Sequence, residues 1–354
     1  MCRFWSICVL LLAFVPTGCV GVHHATPTTQ TTAIKIGRGQ ADDLSVAPGA
    51  ATITFNDDRA IAKPPAFKDD GPANGGKNGK DEKKEEPKHI RDNGFLVEEA
   101  FNQEPGEAQH IFNWINAWDR TCTGHARDFL ATYTMELPLG SQKHQFSFTT
   151  QFLTAFERPN TGPATQQGDM GDTFLNYRYQ LLASDEFLWC APRFSVILPT
   201  GDRYLGTGTG EVSYQFNLPV SHYGEQFDFH FNAGSTYTPE VSLPISLVPK
   251  VLSPRHDLLG YNLGASVFWK PKVNLHFFVE ALALWNDEID DLGSRVSTTQ
   301  VFVNPGVRFA IIQEPVEWVL GVSAPIGLTH DAPDIGVFAY MSIEHPFRKK
   351  KNGD

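Results

Sequence analysis

The residues most open to a ligand reading are Gly206, Gly208 and Gly210, in the stretch LPTGDRYLGTGTGEVSYQF. A phosphate cradle sets its glycines between a strand and a helix, so that the helix amino terminus faces the anion, and its P-loop form ends in Gly-Lys-Ser/Thr. No lysine follows here. Val212, Tyr214, Phe216 and Leu218 alternate instead with Ser213, Gln215 and Asn217, which is the period of a strand. With no helix there is no dipole to hold a phosphate, so the run reads as a flexible loop between two strands.

Other catalytic or ligating patterns are equally scarce. The chain has no His-Glu-x-x-His, no Gly-x-Ser-x-Gly and no Cys-x-x-Cys. Its histidines are scattered singly apart from His23-His24, and Ser221-His222 are neighbours only at an expected turn. The acidic run NDEIDD departs from the calcium-loop spacing. These absences lead to the expectation of no enzyme activity, no cofactor and no metal site.

What remains is charge carried on one face of alternating segments. In QFDFHFNAGSTY, Phe227, Phe229, Phe231, Ala233 and Tyr237 share a face opposite Asp228, His230 and Asn232. Leu175, Tyr177, Tyr179 and Leu181 likewise oppose Asn176, Arg178 and Gln180. Phe277 and Val279 oppose His276 and Glu280, and Val303 and Val307 oppose Asn304 and Arg308. A wall that meets lipid on one side and a polar lumen on the other has this alternation.

The elements that would position these residues follow from composition. The first nineteen residues, MCRFWSICVLLLAFVPTGC, hold one arginine and an apolar run too short to span a membrane, which reads as an export signal over residues 1–19. PTGC resembles a lipoprotein box with Pro16 where leucine is usual, which makes Cys19 a candidate lipidation site. Residues 20–93 are rich in Thr, Pro, Gly, Asp and Lys and cannot bury enough apolar surface to offset ordering entropy, so they read as a disordered tether. Cys122 and Cys190, left outside the leader, read as unpaired structural residues. A net charge of −11 argues against a nucleic-acid partner, and 26 phenylalanines against 4 methionines favour broad apolar strand faces.

Beyond residue 93 no hydrophobic run approaches the ~20 residues of a membrane helix. Alternation predicts strands at 127–137, 145–156, 173–182, 187–198, 211–221, 225–237, 257–269, 274–285, 298–311, 316–326 and 335–347. Tight connections such as GSQKH, HYGE and IQEP alternate with long ones such as ERPNTGPATQQGDMGD and the glycine loop, the rhythm of short periplasmic turns and longer outer loops. An even strand number requires one more, and 107–118 is available. The expectation is an all-β fold, an antiparallel transmembrane β-barrel of about twelve strands over residues 94–347, with a basic tail at 348–354 and both termini periplasmic.

In that frame Glu136, Arg178, Arg193, Asp228, His230, Glu280, Arg308, Glu317 and Glu344 are lumen-lining candidates. Tyr177, Tyr179, Phe227, Phe229, Phe231 and Phe277 are the lipid-facing ones. About twelve strands imply a narrow, partly occupied lumen, so these charges either pair as filling or form a ladder for a small polar solute.

The segments EEAFNQEPGEAQHI, GDTFLNYRYQLL, PRFSVILPTGD, LGTGTGEVSYQFNLPVS, HFFVEAL, NPGVRFAI, VLGVSAPIG and FAYMSIEHPF resemble, in order and wording, the outer-membrane β-barrel family labelled MetA-pathway of phenol degradation. The resemblance implies a bacterial outer-membrane barrel, transporter-like, and says little about the solute. Barrels of this kind usually end on an aromatic residue; Phe347 fits, although RKKKNGD follows it. The implied partners are outer-membrane lipid and lipopolysaccharide, the barrel-assembly machinery and a small-molecule solute. The leading expectation is a passive channel for small, aromatic or otherwise hydrophobic molecules. Its rivals are an anchoring barrel with a plugged lumen, a lipid-hydrolysing barrel and a soluble secreted sandwich.

Overall fold

In a computed structural model the described residues are Ile90, Asp92, 94–121, 124–184, 188–242, 254–290, 293–313 and 316–347. The export signal, Cys19, the tether up to residue 89, Cys122 and the basic tail lie outside them. Among the described residues there is no helix. The strands are β1 (Glu107–Thr121), β2 (Gly124–Pro138), β3 (His144–Pro159), β4 (Thr165–Met170), β5 (Thr173–Tyr179), β6 (Leu182–Ala183), β7 (Trp189–Cys190) and β8 (Arg193–Leu198). They continue with β9 (Ser213–Tyr223), β10 (Phe227–Val241), β11 (His256–Lys272), β12 (Leu275–Ile289), β13 (Arg295–Gln313), β14 (Val316–Ser323), β15 (Ile326–Gly327) and β16 (Ile335–Pro346).

Apart from four short pieces (β4, β6, β7 and β15), each strand pairs antiparallel with the next along the chain. β16 returns to β1, and β9 with β10 completes the ring. Four short pieces extend others across a break: β4 precedes β5 along β3, β6 and β7 prolong the β5–β8 hairpin, and β15 follows β14 between β13 and β16. The result is a closed antiparallel barrel of 12 strands, as the alternation predicts. Closure matters physically, because it leaves no unpaired edge. One rim carries the connections 139–143, 224–226 and 273–274 with the strand ends Ala183, Trp189, Gln313 and Val316; the other carries 160–164, 199–212 and 328–334 with the strand ends Val241, His256, Ile289 and Arg295. They are called here the turn rim and the loop rim.

Register sets the faces. Along β2 the even residues are buried inside and the odd ones meet the exterior, and β10 repeats the pattern from Phe227 to Thr238. The exterior is apolar and aromatic, with Phe194, Phe216, Tyr261, Trp269, Trp285 and Val322 exposed along it. A soluble sandwich would bury such a belt; a barrel wall can leave it for lipid.

The glycine loop is more ordered than a flexible connection. Residues 206–209 are buried, and the Asp172 carboxylate, at the break between β4 and β5, accepts bonds from Gly201 N (3.0 Å) and Thr209 N (3.1 Å). An added Cβ on Gly208 would fall 2.5 Å from Asp172 Oδ1, so a side chain there would displace this contact. The glycines thus serve close packing, not a ligand. Ser221 and His222 lie within β9 and not at a turn, Ser221 buried and His222 exposed. Adjacent residues of a strand point to opposite faces, so the pair does not converge.

Candidate functional site

The polar interior is occupied by the chain itself. Residues 94–103, with Ile90 and Asp92, precede β1 and fold into the lumen, and all are buried. The segment enters at the turn rim, where Ile90 N bonds Val273 O (3.3 Å), arches inward, and returns to that rim at Asn102, whose side chain bonds Gln142 O (2.9 Å). It has no partner strand. Its backbone amides are met by wall side chains, as buried backbone groups must be met by something.

Glu280 on β12 does most of this near the apex. Its carboxylate accepts from Phe95 N (2.8 Å), Leu96 N (2.8 Å) and Val97 N (3.3 Å), and from Asn304 Nδ2 (2.8 Å). Asn232 on β10 accepts from Glu98 N (2.7 Å) and donates to Glu98 O (2.7 Å). Ser221, Gln180 and Gln145 accept from the amides of Ala100, Asn102 and Gln103 at 2.8, 3.0 and 2.6 Å. The donors and acceptors come from strands on every side of the ring, which places the segment centrally.

Two consecutive glutamates supply the charge. Glu98 pairs with Arg178 (2.5 Å) on β5 and Arg193 (3.1 Å) on β8, and also accepts from the Asn217 side chain. Glu99 pairs with Arg308 (3.0 Å) on β13, accepts from Tyr223 Oη (3.1 Å) and lies 3.7 Å from His230 Nε2. Arg178, Arg193 and Arg308 are 1%, 2% and 0% exposed, so each would be a stranded buried cation without its glutamate. The guanidinium of Arg308 also lies 4.2 Å above the Phe268 ring.

Apolar contacts fix the two arms. Phe95 packs on Phe278, Phe338 and Tyr340 with ring centroids 4.5, 4.9 and 5.2 Å apart, and Phe101 packs on Trp189 at 4.6 Å. The wall makes room with glycine: a Cβ on Gly321 would sit 2.4 Å from Phe95 Cζ. At the turn rim, Asp92 accepts from Ser342 Oγ (2.6 Å), Tyr340 Oη (3.1 Å) and Gln109 Nε2 (3.1 Å).

The expected lumen residues therefore fall into two groups. Arg178, Arg193, His230, Glu280 and Arg308 converge on the inserted segment. Asp228 pairs instead with Lys270 (2.7 Å), Glu136 accepts from Gln145 (2.9 Å), and Glu317 faces Glu344 across the β14–β16 pair. The expected lipid-facing residues Tyr177, Tyr179, Phe227, Phe229, Phe231 and Phe277 are all exposed on the outer face. Sequence reasoning missed Asp92, which falls in the stretch 20–93 expected to be a disordered tether, and Phe95, Glu98, Glu99 and Phe101, because residues from 94 onward were read as the start of the barrel. Their signal is FLVEEAFNQEP, an apolar stretch with a paired acid and no strand alternation, set between tether and first strand.

No family model matches the chain, and no curated protein does. Solved structures do. The COG4313 outer membrane channel from Pseudomonas putida F1 is similar at a TM-score of 0.53 and 9% identity, over 70% of this chain and 97% of that one. The transport unit of the autotransporter AIDA-I from Escherichia coli gives 0.43 at 11% identity, over 68% of this chain and 90% of that one. The CymD monoaromatic hydrocarbon channel gives 0.34 at 8%, over 69% of this chain and 89% of that one. The first shares the barrel fold; at the scores of the other two nothing further is argued.

Proposed function

We propose that this chain is a bacterial outer-membrane barrel, with its turn rim toward the periplasm, whose lumen is a path for small solutes held closed by residues 90–103. The apolar outer belt and polar interior support the membrane setting, and the fold likeness agrees with it. The observation that carries the gate is the latch of Glu98 on Arg178 and Arg193 and of Glu99 on Arg308. A permanent filling needs only packing, whereas here the attachment is concentrated in a few charge pairs and side-chain bonds to one unpaired segment. The reading keeps the expectation of small, aromatic or otherwise hydrophobic solutes, and it involves no catalysis.

A second reading treats the inserted segment as a permanent plug and the barrel as an anchor for residues 1–89. The side-chain acceptors that meet the amides of Phe95, Leu96, Val97, Glu98, Ala100, Asn102 and Gln103 favour it. Conductance separates the two. The purified protein in planar bilayers should give small or no current steps, and Glu98→Gln with Glu99→Gln should give larger discrete ones. If both stay silent, and proteoliposomes of either take up no small solute, transport is abandoned for the anchor. Recovery of the protein in the soluble periplasm, without heat-modifiable gel mobility, would remove both readings.

A further inference from the structure

We propose that the outer face of β1, β2 and β3 at the loop rim is a docking site for the phosphorylated glycolipid of the outer leaflet, lipopolysaccharide, with its phosphates on a row of cations and an acyl chain in an aromatic groove below. The inference rests on the outer-membrane reading above, because it takes the loop rim as outward.

The rows follow from strand register. Arg120, His125 and Arg158 stand side by side across β1, β2 and β3 on the exterior. Neighbouring strands lie about 4.8 Å apart, so the three side chains, two of them arginines, span roughly 10 Å. One step toward the turn rim, Trp118, Arg127 and Phe156 form the next row, continued by Gln166 on β4. Below them come Phe129 beside Thr154, then Ala131 beside Phe152. Small residues between large rings leave a hollow. A cavity of about 810 Å³ lies there, lined by Trp118, Arg127, Phe129, Phe152 and Phe156, with His125 and Arg158 at its upper edge.

Charge decides the occupant. Arg120, His125 and Arg158 are exposed and have no carboxylate partner among the described residues. The acid near Arg120, Asp334, accepts from that residue's backbone amide (3.2 Å). Arg127 is held in place by two bonds to Asn116 Oδ1 (3.1 and 2.7 Å) and lies 5.9 Å from the Trp118 ring. On the far side of the same rim the exposed arginines are already paired, Arg255 with Glu240 (2.5 Å) and Arg295 with Asp287 (3.8 Å). Among the described residues of this rim, the β1–β3 face combines uncompensated arginines with an apolar groove beneath. A phosphate bound to several such groups gains charge-assisted bonds, and an acyl chain covers the rings that would otherwise contact mobile lipid.

The test is glycolipid retention by the full-length protein. Detergent-extracted protein, purified from outer-membrane fractions, is assayed by native mass spectrometry for bound lipopolysaccharide, then titrated with lipopolysaccharide, its dephosphorylated form, or phosphatidylglycerol. The parent should bind the phosphorylated glycolipid at least about tenfold more tightly than the other two. Arg120→Ala with His125→Ala and Arg158→Ala should remove that preference, and Arg255→Ala with Arg295→Ala should keep it. Heat-modifiable mobility shows which variants fold; if the triple variant does not, the ligand comparison on the parent still decides. Equal affinity for dephosphorylated glycolipid or for phosphatidylglycerol overturns the site, as does undiminished binding by the folded triple variant. Protein that sits in the outer membrane yet shows no preference sinks the inference and leaves the membrane reading intact, whereas soluble protein sinks both.

Discussion

Strand β12 exchanges backbone hydrogen bonds with β11 and β13 along its length, while Phe95, Leu96 and Val97, at a bend of the chain, give their amides to a single carboxylate, Glu280. Wall and inserted segment are thus held by different chemistry. The wall's bonds belong to every residue type except proline and survive most substitutions, because the side chain is not the partner. The segment's bonds belong to particular side chains and are lost with them. It follows that the wall can exist without the segment but the segment has no structure without the wall, which is the asymmetry a movable element requires.

The largest effect should come from stranding charge at the latch. Glu98→Ala leaves Arg178 and Arg193 without their shared anion, and breaking a buried pair this way costs about 3–5 kcal/mol. The segment should come out of the lumen, read as protease cleavage within 90–103 with the heat-modifiable barrel intact. Loss of the folded barrel itself would mean that wall and segment are one cooperative unit, and the asymmetry would be wrong.

Next in size is the wall's own outer face. An arginine on the lipid face costs up to about 2–4 kcal/mol at the bilayer midplane and less toward the interface, so Phe229→Arg, two residues from the turn-rim end of β10, should impair assembly in membranes while leaving any correctly inserted molecules plugged. Asp228→Asn, one residue away on the inner face, loses only the Lys270 pair near the turn rim, where Lys270 keeps Gly224 O at 2.6 Å. Its assembly yield should stay close to the parent's. Equal yields for the two variants would contradict the assigned facing.

How far these regions could be read from sequence follows the same division. Period-two alternation is a property of a strand with two different solvents, so Phe227, Phe229 and Phe231 against Asp228 and His230 announce both the strand and its faces. The inserted segment has one environment on all sides, and Phe95, Leu96, Val97, Ala100 and Phe101 carry no period at all. Arg178, Arg193 and Arg308 were legible as inward-facing, but their partners were not, because Glu98 pairs over 80 and 95 positions and Glu99 pairs with Arg308 over 209. The glycines of residues 206–210 had a similar fate: the loop was visible and its packing on Asp172 was not.

A smaller effect should follow at Glu280. Glu280→Gln keeps one carbonyl acceptor but puts an N–H where an acceptor stood, so at least one of the amides of Phe95, Leu96 and Val97 loses its partner. An unsatisfied buried donor costs about 1–3 kcal/mol. Hydrogen exchange should quicken at these amides ahead of those at Ala100 and Asn102, which Ser221 and Gln180 hold. Uniform quickening along the whole segment would show that it releases as one piece.

The smallest and most local change concerns the turn-rim end. Asp92 accepts from Ser342, Tyr340 and Gln109, so Ser342→Ala removes one donor of several and should cost about 1 kcal/mol. Ser342 faces inward on β16 while its backbone pairs with Ile111 and Val319, and neither ladder depends on the hydroxyl. Exchange in β1, β14 and β16 should therefore match the parent, with faster cleavage confined to the chain around Asp92. Such fraying would mark this end as the place where opening begins, since Asp92 is held by side-chain hydrogen bonds and not by the charge pairs of Glu98 and Glu99. Protection lost in β1 or β16 as well would show that the segment's entrance helps to hold the β1–β16 seam, and the separation of wall from segment would then stop short of the closing strands.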